Sequence, residues 1–309
     1  MPKIDHPKSA IPARLKGLHL FHFDGAPCAQ RVRFALGEKG LGRGREIAFD
    51  GTNAKDCAGE AGKWASRRVS LVKRDHMTPA YAAIHPNMVV PALVHEGTLY
   101  LESMDIISYL DEAFGGPKLL PTGPTLREQT MARVEQAKVL HRSIRFVTFH
   151  WGLGRLAMLN GKERVALQQL AAQGSDGEGL VSFYQEYSTG TIADSIYYEH
   201  LDQLYSAFAE VDQQMQDGRP FLMGDDLSIA DAFWAMKVLR LIECGYPFAE
   251  HHPRLLAWYQ RISSRPSFQH EVMGKNQFMH RFFKGKAGLE TLLGIGLKNA
   301  VHTLIQQKG

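Results

Sequence analysis

Val89-Val-Pro-Ala-Leu-Val94, His95-Glu-Gly-Thr98 and Leu99-Tyr-Leu101 run on without a break, and the fold turns on how they are read. Two apolar runs on either side of a short glycine-containing turn make a β-hairpin. Pro91 inside the first run marks an edge or a special backbone position, because proline has no amide to give to a ladder. Ser103 can cap the helix that follows, and Ile106, Ile107, Leu110, Ala113 and Phe114 fall on one of its faces. Gly115-Gly-Pro117 ends it.

Upstream of the hairpin, Leu18-His-Leu-Phe-His-Phe23 reads as a strand bounded by Gly17 and Asp24-Gly25. Pro27 suits the first position of a helix, which needs no amide donor. Val32, Ala35 and Leu36 carry its apolar face and Gly40 supplies the stop. Glu46-Ile-Ala-Phe-Asp50 reads as a second strand. Residues 51–82 are rich in Gly, Lys and Arg with weak periodicity, and read as a loop with one or two short helices. The first half is therefore β-α-β-(loop)-β-β-α, closed by a proline- and glycine-dense linker over residues 116–124.

Downstream the texture is helical only. Leu126 to Leu159 reads as one long helix, kinked near Gly152 and Gly154. Ile196 to Met215 is another, and Ile229 to Cys244 a third, apolar nearly all round and so suited to the middle of a bundle. Ser228 and Asp231 form a capping box at its start, a structural role that capping alone explains.

Composition sets the outer limits. The chain has 309 residues, 44% hydrophobic and 22% charged, an ordinary globular balance with length for two domains. It has no apolar run of about 20 residues to span a membrane. The lead-in 1–16 carries no secretory signal and reads as disordered. Three dispersed cysteines form no CxxC pair, which favours a reducing cytoplasm. The net charge of +4 is concentrated in residues 270–309, which carry six Lys or Arg against two Glu. The balanced body argues against nucleic-acid binding. The fourteen histidines form no HExxH and no Cys/His metal spacing, so no metal is expected.

Four segments together resemble the glutathione S-transferase superfamily: Asp24-Gly-Ala-Pro-Cys-Ala-Gln-Arg-Val-Arg33, His85-Pro-Asn-Met-Val-Val-Pro-Ala-Leu93, Leu101-Glu-Ser-Met-Asp-Ile-Ile-Ser-Tyr-Leu110 and Leu227-Ser-Ile-Ala-Asp-Ala232. The resemblance spans residues 17–270. It implies an α/β thioredoxin-like N-terminal domain over 17–116, with an insertion at about 51–78. An all-α helical substrate domain would follow over 125–274, and residues 275–309 would be a C-terminal extension. It implies glutathione as co-substrate. Pro91 would be a cis-proline that aims the main chain of Val90 at the cysteinyl unit. Ser103, at a helix N-terminus, would hold the γ-glutamyl carboxylate, with Glu102 opposite the ammonium.

The thiol activator departs from the family pattern. The turn after the first strand offers Gly25 and Ala26, neither with a usable side chain. Cys28 lies in the first helical turn instead, where the dipole favours a thiolate. Three readings stand beside one another: Cys28 donates to the sulfur or forms a mixed disulfide, Cys28 is a small core residue, or backbone amides alone hold the thiolate. Phe146, Phe149, Trp151 and Met158 are candidates for an apolar wall, a stripe that core packing also explains. Phe282, Phe283 and five leucines of the extension are expected to dock on the protein itself.

The resemblance implies a cytoplasmic, dimeric transferase whose glutathione thiolate attacks an electrophilic carbon of a hydrophobic, aromatic substrate. Cleavage of a β-aryl ether, in the breakdown of aromatic compounds, is the specific expectation; conjugation and reductive dehalogenation stay open. The rivals are a non-catalytic glutathione-binding or heterodimer-partner subunit, and a glutathione-dependent thiol reductase working through Cys28.

Overall fold

Leu18–His22 (β2) is buried along its whole length, as a strand must be when both faces of its sheet are covered. A computed structural model describes residues 3–4, 7–172 and 179–308. Around β2 it builds a six-stranded sheet from β1 (Lys3–Ile4), β3 (Gly42–Ala48), β4 (Lys63–Arg68), β5 (Ala92–His95) and β6 (Thr98–Tyr100). The order is β1-β6-β5-β2-β4-β3. β4 runs parallel to β2 and β3, while β5 and β6 form the expected antiparallel hairpin. This is the thioredoxin-like plan with an added strand at each edge.

The strand β4 corrects the reading of residues 51–82 as a loop with short helices. Lys63-Trp-Ala-Ser-Arg-Arg68 is the direct neighbour of β2, and the strand expected at 46–50 lies one place further out, as β3. Its polarity hid it. Ser66 and Arg67 are fully buried, with their polar atoms paired inside the protein rather than solvated. Arg67 donates to the carbonyls of Phe49, Gly51 and Asp56 and to His19 Nδ1, and so ties the 49–56 loop to the sheet. The other His19 nitrogen therefore carries the hydrogen and meets the Lys16 carbonyl at 2.9 Å. Burial holds His19 neutral, its pKa lowered from 6.5 to about 4.

Gly17 and Gly59 pass so closely that a Cβ on Gly59 would meet the Lys16 carbonyl at 2.6 Å. The lead-in is not wholly irregular: Ile4 pairs opposite Leu99, and Ile11–Arg14 is a short helix. Met1, Pro2, Asp5 and His6, also part of the expected lead-in, lie outside the described residues.

Helices Pro27–Glu38 and Ser103–Ala113 pack together, joined by a buried ion pair between Lys39 and Asp111 at 2.6 Å. Lys39 also donates to the Pro117 carbonyl. By packing, the chain divides into two units whose borders differ from a single cut near residue 120. The first unit runs to Pro117 and also takes in Leu159–Thr189; the second comprises Lys118–Met158 and the chain from Gly190 onward. Helices Gly161–Ala171 and Leu180–Thr189 join the first unit because Leu159 and Leu167 share an apolar cluster with Met77 and Met88. Arg74 adds an ion pair with Glu163.

In the helical unit, Ile229–Glu243 is buried nearly all round, with Trp234, Val238 and Leu241 inaccessible. Asp231 accepts from the Ser228 amide, the Leu222 amide and Trp258 Nε1, so the expected capping residue also anchors two neighbouring segments. The long helix ends at Val147 and passes through a wide turn, Thr148–Leu153, before a 3-10 turn, Gly154–Ala157. Gly152 sits in that wide turn because any Cβ would meet Cys244 Sγ at 2.6 Å. The extension forms helices Gln277–Leu292 and Leu297–Gln306. The second of these buries Leu297, Ala300, Val301 and Leu304, whereas Leu289 and Leu292 of the first, and Leu293 just after it, stay exposed.

Candidate functional site

Two helix starts define the site within the N-terminal unit. The turn after β2 feeds helix Pro27–Glu38 through Ala26, whose extended backbone offers no side-chain cap. Cys28 follows Pro27, is half-buried and is in no disulfide. The turn after β6 feeds helix Ser103–Ala113 through Glu102, which adopts a left-handed φ of 54° uncommon for a residue with a side chain. Such outliers gather where surrounding structure fixes the backbone for a purpose.

Arg31 joins the two. Its Nη2 donates to Cys28 Sγ at 3.0 Å and its Nε donates to Ser103 Oγ at 2.8 Å. Arg31 and Ser103 are both buried. One guanidinium thus spans the thiol and the hydroxyl, with its fork geometry giving each a separate N–H. Sequence reasoning named Cys28, Glu102 and Ser103 but missed Arg31. The signal was available: three residues after Cys28 is the same face of the helix, one turn on.

The Val90–Pro91 peptide is cis. β5 pairs with β2 from Ala92 opposite Phe21, so Val90 precedes the ladder. Tyr81, fully buried, donates its hydroxyl to the Val89 carbonyl at 2.8 Å and fixes the approach to the cis bond. His85 stacks on Tyr81, and burial lowers its pKa from 6.5 to about 4.

Behind the turn, a second arginine holds the backbone. Arg33, fully buried, donates to the Phe23 and Asp24 carbonyls and to His22 Nδ1. Arg43 donates to Asp24 Oδ1 at 2.9 Å and to Ser66 Oγ at 3.1 Å. These contacts lock the 23–24 turn from which Cys28 is presented. Residues 25–27 supply no hydroxyl or thiol, so Cys28 is the sole sulfur in this turn.

The expected apolar wall resolves into two kinds of residue. Phe146 and Trp151 are buried in a ring cluster with Tyr197, Tyr198 and His200 of helix Asp194–Gln214, where Phe146 lies 4.2 Å from His200 between ring centres. Phe149 is half-buried and Met158 exposed. Among the described residues no helix is long and apolar enough to cross a membrane.

Comparison with known proteins bears on this geometry. Residues 20–118 match the family model described as "Glutathione S-transferase, N-terminal domain", and residues 168–261 match "Glutathione S-transferase, C-terminal domain". The chain is 25% identical over 298 residues to a 2,5-dichlorohydroquinone reductive dechlorinase from Sphingobium indicum, covering 82% of each chain. It is 26% identical over 196 residues to glutathione S-transferase theta-1 of Mus musculus, covering 63% of this chain and 70% of that one. Among solved structures, a β-etherase from Sphingobium sp. strain SYK-6 superposes with a TM-score of 0.67 at 19% identity, over 82% of this chain and 98% of the other. A Drosophila mojavensis glutathione transferase homologue with bound glutathione gives 0.58 at 19% identity, over 87% and 97%. The chain belongs to the glutathione S-transferase superfamily.

Proposed function

We propose that the chain is a glutathione transferase whose bound thiolate attacks an electrophilic carbon of a hydrophobic, aromatic substrate, with Arg31 as the group that organises the thiolate. Glutathione is the co-substrate of the superfamily. Its γ-glutamyl carboxylate would rest on Ser103 and the free amides of that helix start, its ammonium near Glu102, and its cysteinyl unit along the main chain of Val90 beside Pro91. The observation that carries the reading is the single guanidinium bonded to both Cys28 Sγ and Ser103 Oγ. It puts a fixed, poorly solvated positive charge between the carboxylate seat and the only sulfur of the turn, where a thiolate needs it. β-Aryl ether cleavage is one form of this reaction: the thiolate displaces a phenoxide, which carries away the bonding pair. Pairing with a second copy or a related chain belongs to the same proposal.

A second reading is favoured by the half-buried Cys28 thiol in contact with Arg31, and by likeness to a reductive dechlorinase along most of the chain. Glutathione thiolate would displace halide from an activated ring. Cys28 thiolate would then attack the thioether sulfur, the ring carbon would take a proton, and a Cys28–glutathione disulfide would remain. A second glutathione would resolve it, leaving glutathione disulfide, halide and the reduced arene.

One experiment separates these. Wild type and Cys28→Ala are supplied with glutathione and with matched aryl ethers and halogenated hydroquinones, and products are followed by mass spectrometry. Accumulation of an aryl–glutathione thioether in Cys28→Ala, with full reduction in wild type, supports the second reading. Equal ether cleavage by both supports the first. Glutathione binding without turnover of any substrate would overturn both and leave a binding subunit.

A further inference from the structure

We propose that Glu250, His251 and His302 form a binding site for a zinc-class divalent cation that fastens the C-terminal helix to the rest of the helical unit. Among the described residues, one group of three metal-capable side chains comes together: each of these offers a donor atom within 4.8 Å of the other two. None belongs to the Cys28–Arg31–Ser103 cluster. Glu250 and His251 end the short helix Phe248–His251, and His302 comes from the middle of Leu297–Gln306. The ligands thus tie together two segments that the sequence separates by 51 positions, which is why no spacing motif announced them.

Three observations point to a cation rather than to a plain ion pair. Glu250 Oε2 lies 3.0 Å from His302 Nε2, while its other oxygen is bonded by Lys298 Nζ, so the carboxylate is ionised and divided between two partners. The His251 ring stands edge-on to His302, 5.9 Å between centres. His251 Nε2 is buried with no hydrogen-bond partner among the described residues, an orphaned lone pair or N–H that an ordinary surface pair would not leave.

The donor chemistry selects the ion. Two imidazoles and one carboxylate with an open fourth position suit zinc, whereas calcium and magnesium demand oxygen ligands. Tetrahedral bonds of about 2.0–2.1 Å place donors roughly 3.4 Å apart. Donors that lie within 4.8 Å of one another reach that spacing by side-chain adjustment, which the half-exposed His302 allows. Lys298 opposes binding by its charge, and metal occupancy would weaken its hold on Glu250.

The test uses the full-length, reduced, tag-free protein and zinc chloride alone, in competition with a chromogenic chelator, with cobalt absorbance as a reporter of coordination. Wild type should bind one equivalent per chain and melt at a higher temperature with the metal than without it. His251→Ala, His302→Ala and Glu250→Gln should each weaken binding by at least about tenfold and lose the thermal shift. Lys298→Met should tighten binding several-fold, a gain that no general loss of folding can imitate. Zinc bound equally well by all three ligand variants, no tightening in Lys298→Met, or no binding by wild type would each overturn the proposal.

Discussion

On the proposed reading, Arg31 is the residue on which the site's chemistry depends most directly. An ammonium cannot replace it: lysine has the charge but not two separated N–H vectors, one for Cys28 and one for Ser103. Arg31→Lys is therefore expected to fall between wild type and Arg31→Met. The methionine variant should lose about 100-fold in kcat/KM for glutathione-dependent turnover, the scale of one charge-stabilising group. Steady-state kinetics at varied glutathione would check this; kcat/KM within threefold of wild type in both variants would exclude the role. On the same reading Ser103→Ala removes the hydroxyl that would donate to the glutathione carboxylate, and should raise KM for glutathione about tenfold with a smaller effect on kcat. The contrast between Arg31 and its neighbours is instructive. Cys28, Ser103 and Glu102 stood out because each sits at a helix start beside a recognisable turn. Arg31, inside a helix between Gln30 and Val32, carried no such mark in the sequence, and only the fold buries it.

At the scale of the element, β4 shows how a strand escapes detection. Its inner positions hold Trp64, Ala65, Ser66 and Arg67, all buried, so no polar-apolar alternation marks it. The hairpin β5–β6 and the helix Ile229–Glu243 were readable, since their burial is carried by unbroken apolar runs. β4 instead satisfies its polar groups by long-range bonds that exist only in the folded chain. Arg67→Met tests this directly. It leaves three carbonyls and His19 without their donor, and should destabilise the protein by about 3 kcal/mol, measured as a lowered midpoint in urea. Gly59→Ala should likewise destabilise, because the Lys16 carbonyl stands where the new methyl must go.

At the scale of the whole molecule, burial of imidazoles couples stability to pH. His19, His76, His85 and His252 are each lowered from 6.5 to about 4, chiefly by burial. In the unfolded chain they take protons near pH 6.5, but in the folded protein only near pH 4. Their stability contribution is therefore complete above pH 6.5 and is lost as pH falls towards 4, at up to about 1.4 kcal/mol per pH unit for each group. Urea titrations from pH 7.5 to 4.5 should show this decline, and His85→Leu should make it shallower. A flat profile would contradict neutral burial of these rings.

The membership of Leu159–Thr189 in the first unit bears on how the protein comes into being. The sheet and its two helices are encoded by residue 117, yet Met77 and Met88 meet Leu159 and Leu167 only after some forty intervening residues that belong elsewhere. During synthesis the amino-terminal half cannot complete its apolar seal until more than half of the polypeptide has left the ribosome. A fragment cut at the linker should bind a hydrophobic dye and aggregate, and the minimal autonomous piece is not the segment that a domain boundary near residue 120 would suggest.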